Sequence, residues 1–375
     1  MGLGAPLKVL HLCAGNMYGG VERIVSECAI SRALCPSMTP SFGVCFEGRL
    51  SEEIEASGAA CVRLGAARIS RPHTVLRARA ELRRVLTAAK PDAIICHSSW
   101  MAGLAATVAR RAGVAVATWI HDRLSGRTWA ERWAGLTPPD LLIVNSRYTD
   151  DTVPAVYPGV PHEVVYAPVP SIDGGSRGAV RAALQADDST PVVLIASRFE
   201  RWKGHPELIT ALAAIEEPWF LWVAGRPQRG DEVEYERELR SLVDRSGIAG
   251  RTRFLGERRD VPALMRAADV HCQPNSVAEP FGLTYVEALY AGLPVVTTAA
   301  GGALEIVTPD CGVLVPPGDT EALRTALRRA ICDKDMRGRL AAAGPARAAA
   351  LCDPARQLSR LASVMSRAIT PRGVA

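Results

Sequence analysis

No apolar run in the chain is long enough to span a bilayer. The best stretch, Met101 to Ile120, is interrupted by Arg110 and Arg111. Nor is there a secretory pattern at the start: the apolar run Leu7–Cys13 is short, and polar and charged residues soon follow it. Position 6, where a myristoylation signal starting at Gly2 needs Ser or Thr, is Pro6. Together these absences predict a cytoplasmic protein. The ten cysteines contain no CxxC pair, and Cys13, Cys45, Cys96 and Cys272 lie in apolar strand-like runs, so neither a zinc site nor a disulfide framework is expected. The net charge of +5, carried mainly by Arg, is too mild to point to nucleic acid; residues 1–168 hold 18 Lys and Arg against 14 Asp and Glu. No short internal repeat is present.

What is there suits two globular domains. The 375 residues are 48% hydrophobic and 22% charged, enough for two cores and against long disorder. Short apolar runs alternate with amphipathic stretches, the pattern of parallel sheets covered by helices. In the first half, strands are expected at Leu7–Cys13, Ser41–Phe46, Cys61–Leu64, Ala93–Cys96, Ala115–Ile120, Leu141–Val144 and Glu163–Tyr166. Helices are expected at Val21–Leu34, His73–Ala89, Met101–Arg111 and near Trp129. The segment Ala167 to Gly175, with two prolines and two glycines, reads as a linker. The alternation then restarts. Strands are expected at Val192–Ala196, Phe220–Ala224, Thr252–Leu255, Val270–Gln273, Pro294–Thr297 and Gly312–Val315. Helices are expected at Pro206–Ile215, Glu232–Ser246, Val261–Ala267, Leu283–Tyr290, Glu321–Ile331 and Asp335–Ala343. The expected domains are therefore 1–168 and 169–353, with a last helix in 354–375 packing back on the first domain. In such sheets ligands sit at the carboxyl ends of strands.

The most informative string runs from Glu279 through Pro280, Phe281, Gly282 and Leu283 to Glu287. Pro280 and Gly282 force a turn that opens a helix just after the strand Val270–Gln273. The backbone N–H groups of Phe281, Gly282 and Leu283 then sit where phosphate or sugar oxygens bind. Glu279 can reach sugar hydroxyls from the loop, and Glu287 can grip a ribose diol. Either glutamate alone would read as a helix-start or solvated carboxylate. As a whole the string resembles the signature of retaining glycosyltransferases of family 4, which have the GT-B fold and carry two Glu with seven residues between them. The resemblance covers most of the chain and is strongest from Val192 to Pro317.

It implies an α/β architecture of two Rossmann-like domains facing each other across a cleft, an acceptor-binding first domain and a donor-binding second. After the strand Val192–Ala196 come Arg198 and Lys203, two cations able to hold a diphosphate by a planar fork and a point charge. In the family such a pair replaces a metal ion on the donor. Gly225, after Val223 and Ala224, resembles the family's strand-loop beside the nucleotide base, although Arg226 stands where a second Gly is usual. Gly292, Gly301, Gly302 and Glu305 are read as maintaining turns. In the first half, Gly19 and Gly20 join the first strand to the first helix and let a substrate approach the backbone; the spacing is not that of a dinucleotide fingerprint. His121 ends a strand, and the family's His there contacts the donor sugar; whether Asp122 orients its ring is left open. Ser146 reads as a helix N-cap, and Arg147 as a second candidate beside the strand end. The basic stretch with Arg77, Arg79, Arg83 and Arg84, together with Trp129 and Trp133, reads either as a membrane-resting surface or, preferably, as a solvated helix beside a core aromatic pair. Asp333 and Asp335 spell DxD but lie far from these motifs and read as surface charge.

The expected activity is transfer of a hexose from a UDP- or GDP-sugar to a glycan or lipid-linked acceptor, with retention and without metal or other cofactor. His121, Glu279, Arg198 and Lys203 would serve catalysis. Donor binding would add Gly19, Gly20, Gly225, Phe281, Gly282, Leu283 and Glu287. A nucleotide-sugar epimerase and a non-catalytic sugar-binding relative are the alternatives.

Overall fold

The computed structural model describes residues 5–172 and 175–369. Gly2 and the pair Asp173–Gly174 of the connecting segment lie outside them. The chain divides into two compact units, one of residues up to Pro170 together with those from Cys352 on, the other Ser171–Leu351.

The first unit holds a seven-stranded sheet. Its strands are β1 (Leu7–Cys13), β2 (Met38–Val44), β3 (Cys61–Arg63), β4 (Ala93–Cys96), β5 (Ala115–Ile120), β6 (Leu141–Val144) and β7 (His162–Val164). They run in the order β3-β2-β1-β4-β5-β6-β7, every pair parallel. β4 and β6 are buried at every position because helices cover both faces, which is why they read as unbroken apolar runs rather than alternating ones. The order reverses between β1 and β4, so the chain leaves these two neighbours in opposite directions and opens a crevice at their carboxyl ends. The helix Pro354–Ile369 belongs to this unit. It buries Leu358, Leu361 and Met365, and Arg360 donates to the Val164 carbonyl at 2.7 Å.

The second unit holds β8 (Val192–Ala196), β9 (Phe220–Ala224), β10 (Thr252–Gly256), β11 (Val270–Gln273), β12 (Val295–Thr298) and β13 (Gly312–Val315). Their order is β10-β9-β8-β11-β12-β13, all parallel, with the reversal between β8 and β11. Its core gathers Val193, Ile195, Phe199, Leu208, Leu212, Trp219, Leu239 and Leu327.

Several expectations are corrected. A helix at Arg49–Ala56 and another at Arg177–Ala183 were not foreseen. The first helix ends at Ile30 and is followed by a separate 3-10 turn at Arg32–Leu34. The helix expected to stop at Ala343 runs through Pro345 to Cys352. Arg347 holds this stretch in place by donating to the Ile306 carbonyl at 3.0 Å, and Gly344 lets it approach Leu289 so closely that a Cβ would meet the Leu289 carbonyl at 2.8 Å. Trp129 and Trp133 are not a core pair: Trp129 is 54% exposed, while Trp133 packs on Gly103. Arg77, Arg83 and Arg84 are exposed on the helix Pro72–Ala89, whose Val75, Ala78, Leu82 and Leu86 face inward. Arg79 is tied down, donating to the carbonyls of Leu104 and Gly103 at 3.0 and 2.9 Å. Asp333 accepts from the Met336 N–H at 2.8 Å, a helix-start cap rather than part of a cation site. No helix among the described residues is long and apolar enough to cross a membrane.

Candidate functional site

In the second unit the expected residues converge on the β8–β11 crevice. The loop after β8 carries Arg198 and ends in a 3-10 turn, Arg201–Lys203, closed by Gly204 at φ 79°. Only glycine fits there: a Cβ would lie 2.0 Å from the Pro274 carbonyl oxygen. This contact, with the Ser276 N–H donating to the Trp202 carbonyl at 2.9 Å, fastens the Lys203 loop to the loop that leaves β11. Lys203 therefore meets Glu279 at 2.6 Å, with both side chains mostly buried. Its ammonium also sits 3.8 Å from the Trp202 ring centre.

The Glu279 carboxylate is further held by Asn275 Nδ2 at 3.0 Å and Gln273 Nε2 at 3.2 Å. Behind them the Tyr285 hydroxyl accepts from Asn275 at 2.8 Å and lies 3.0 Å from the Thr297 hydroxyl. Burial and the nearby Glu279 charge push that phenol well above its ordinary range, so it stays neutral. The residues Gln273, Asn275 and Tyr285 were missed from sequence. Their signal was two amides at the carboxyl end of an otherwise apolar strand, a place where a polar side chain needs a reason.

Arg198, in the same loop after β8, has its own partners, Glu200 at 2.5 Å and Glu232 at 3.5 Å. Gly282, at φ 107°, caps the helix Leu283–Tyr290, which starts with Leu283 half-buried and carries Glu287 buried on its inner side. The Phe281 side chain is buried. Gly301 and Gly302 do more than maintain a distant turn. The Gly302 N–H donates to the Glu279 carbonyl at 2.8 Å, and a Cβ on either glycine would strike the Glu279–Phe281 backbone at 2.2 to 2.4 Å. Gly225 lets β9 end against the β8 loop, where a Cβ would lie 2.0 Å from the Ser197 carbonyl. Arg226, in place of a second glycine, pairs with Glu257 at 2.8 Å.

In the first unit, Gly19 and Gly20 end the loop after β1. The Gly19 N–H donates to the Glu22 carboxylate at 3.0 Å, and Gly20 is exposed at the first helical position. Tyr18 anchors the same loop to the unforeseen helix Arg49–Ala56 by donating to Glu53 at 2.6 Å, with Arg49 stacked 3.8 Å above its ring. His121 follows β5 and is buried. Asn145 donates to its carbonyl at 3.0 Å, and Ser146 caps the next short helix through the Thr149 N–H at 3.0 Å. Asp122, the residue considered for orienting the His121 ring, is exposed; the hydrogen-bond partner of that ring is His97, at 3.2 Å. Burial pulls the His121 pKa down to about 3, so the ring is neutral at ordinary pH. Arg147 is exposed.

Known proteins resemble this chain in sequence and fold. The family model of group 1 glycosyl transferases matches residues 176–347, and that of glycosyltransferase family 4 matches residues 18–170. A D-inositol 3-phosphate glycosyltransferase of Xylanimonas cellulosilytica is 37% identical over 196 residues, 51% of this chain and 46% of that protein. The lipopolysaccharide core biosynthesis mannosyltransferase LpsB of Rhizobium meliloti is 32% identical over 216 residues, 54% of this chain and 58% of that protein. The chain thus spans about half the length of the curated relatives it matches. Among solved structures, Anabaena Alr3699/HepE in complex with UDP and glucose superposes with a TM-score of 0.83 at 25% identity, covering 96% of this chain and all of that one. Sucrose-phosphate synthase from Thermosynechococcus elongatus shares the fold, with a TM-score of 0.78 at 21% identity, covering 96% and 100%. One match in each half, over a pair of parallel sheets with their residues gathered at the strand reversals, means that the chain belongs to the family 4, group 1 glycosyltransferases of GT-B fold.

Proposed function

We propose that the protein transfers a hexose from a nucleoside-diphosphate sugar to a glycan or lipid-linked acceptor, with retention of configuration and without a metal ion or other cofactor. The observation that carries this reading is the Lys203–Glu279 pair at the β8–β11 crevice, with Arg198 in the same loop as Lys203. Breaking a glycosyl–phosphate bond builds positive charge on the sugar and negative charge on the leaving diphosphate. Arg198 and Lys203 supply two cations for that diphosphate. Both are already engaged by carboxylates, so binding a donor exchanges partners instead of exposing bare charge. Glu279, fixed by Asn275 and Gln273, presents a carboxylate to sugar hydroxyls. The Gly282 turn and Glu287 serve the rest of the donor, with Gly225, Phe281 and Leu283 shaping its surroundings. Gly19, Gly20 and the neutral His121 serve sugar and acceptor from the first unit. The leaving phosphate takes the acceptor's proton, which fits a site whose histidine stays neutral.

Support for a nucleotide donor comes from the Anabaena structures with UDP and with UDP-glucose, and from a GDP-mannose-dependent relative in Corynebacterium glutamicum. All ten cysteines are free thiols, which fits a reducing cytoplasm. The epimerase alternative needs an acid–base pair, whereas the Glu279 carboxylate is met by a lysine and two amides. The test is a panel of UDP-, GDP- and ADP-sugars offered to the full chain, with binding and slow donor hydrolysis followed. One donor is expected to bind and hydrolyse, with Lys203→Ala reducing the rate about 10²- to 10³-fold and EDTA leaving it unchanged. Conversion of the donor to an epimer, or a fully active Lys203→Ala variant, would refute the reading.

A further inference from the structure

His121 is the end of a row. His11 lies within β1, His97 follows β4 and His121 follows β5, on three adjacent strands. His11 Nδ1 lies 3.0 Å from His97 Nε2, and His97 Nδ1 lies 3.2 Å from His121 Nε2. Successive rings are near-parallel, at 22° and 7°, with centroids 5.2 and 5.4 Å apart, so they join edge to edge. Phe42 packs on His11, and Trp119 packs on His97 and His121. The two ends of the row, His11 Nε2 and His121 Nδ1, have no hydrogen-bond partner.

A neutral imidazole has one N–H and one bare nitrogen. Burial lowers the proton affinity of all three rings, with pKa values of about 3 for His11 and His121, which keeps the row neutral. Only two proton patterns then satisfy both internal bonds. Either every ring carries its proton on Nδ1, or every ring carries it on Nε2. In the second pattern the leftover N–H is His11 Nε2–H, fully buried in the core with no partner. An orphaned buried N–H is the costlier defect. In the first pattern His11 keeps only a bare nitrogen in the core, and the leftover N–H moves to His121 Nδ1. That atom is also buried and unpartnered here, but it belongs to a residue 9% exposed just past the end of β5, where an incoming group can meet it, whereas His11 is 0% exposed within β1. The far end is sealed, so the row is no path for protons to solvent.

We propose that His11 and His97 are positioning residues that lock His121 in its Nδ1–H tautomer, so that His121 offers a hydrogen-bond donor, and never a base, to an incoming oxygen. The consequence for rate rests on the role given to His121 above; the tautomer itself does not.

Long-range 1H–15N correlation spectra of the full-length protein, with its seven histidines assigned by single substitutions, read the tautomers directly. Expected are a protonated Nδ1 and a bare Nε2 on His11, His97 and His121 alike. A proton on Nε2 of any of the three, a mixture, or a charged ring at neutral pH overturns the proposal. This arm needs no variant at position 97, so it stands even if one misfolds. His97→Phe removes the donor to His121, and the His121 signals are expected to move to a mixture of tautomers. The transfer kcat should then fall roughly 10- to 100-fold with the donor KM nearly unchanged. His97→Gln, whose amide presents an N–H on one side and a carbonyl on the other, should restore the single tautomer and much of the rate. An unchanged His121 spectrum in His97→Phe refutes the lock. A fully active His121→Ala variant would instead remove His121 from the chemistry and leave the tautomer result standing.

Discussion

Lys203 reaches Glu279 because the residue after it is Gly204. The φ of +79° there, and the 2.0 Å that would separate a Cβ from the Pro274 carbonyl oxygen, leave no room for any side chain. Gly204→Ala is therefore expected to cost about 3 kcal/mol, combining a left-handed backbone penalty with overpacking, and to reduce donor binding as the loop moves. Gly230, at a helix start with open space around it, is the control: Gly230→Ala should change stability by less than about 1 kcal/mol, in the stabilising direction. Urea unfolding of the two variants measures both, and equal effects would contradict the role given to Gly204. Lys203, Arg198, Glu279 and Gly282 could be picked out from sequence because their spacing resembles the family's motifs. Asn275 and Gln273 offered only the weaker signal of two amides at a strand end, which matches no motif. Their role is set by where β11 ends relative to the β8 loop.

At the scale of elements, strand positions were legible because strands buried on both faces are continuous apolar runs. Helix ends were less so. Gly344-Pro345 is a stop signal in local terms, yet the helix Lys334–Cys352 passes through it, held by the contacts of Gly344 and Arg347. The helix Pro354–Ile369 closes the first unit from the far end of the sequence. It buries Leu358, Leu361, Val364 and Met365, while its ion pairs from Arg360 and Arg367 to Glu163 are exposed. Removing residues 354–375 should therefore destabilise the first unit by several kcal/mol, at about 2 kcal/mol for each large apolar side chain uncovered. Glu163→Ala should cost under about 1 kcal/mol. Thermal unfolding separates the two, and comparable losses would mean that the ion pairs, not the apolar face, fasten the helix.

The whole molecule is sensitive to acid through its histidines. His11, His97, His121, His205 and His271 are buried, and burial lowers each pKa: to about 3 for His11, His121 and His205, to about 4 for His271, and well below its ordinary value for His97. The unfolded chain binds protons at these sites near pH 6.5, while the folded chain does not. Between these values the unfolded state holds more protons, so stability is fully present above pH 6.5 and is lost as pH falls toward 3. Each buried histidine contributes on the order of 1 kcal/mol per pH unit in that window. The urea midpoint should drop steeply from about pH 6.5 to about 5; a flat midpoint would show that the rings take up protons in the folded state.

The two α/β units, most of their strands and the positions of the residues proposed to bind the donor were legible in the sequence. Apolar runs, glycine turns and the spacing of charged groups are local properties, and local properties are written along the chain. Only the tertiary structure decided that Lys203 meets Glu279 through a glycine packed on Pro274, that Gly301 and Gly302 brace the Glu279 loop, and that His11, His97 and His121 form one row. Each of these contacts joins residues at neighbouring strands that lie more than about twenty positions apart along the chain, beyond the reach of any local motif. Their pairing is fixed by sheet order, and sheet order is chosen by the packing of the whole unit.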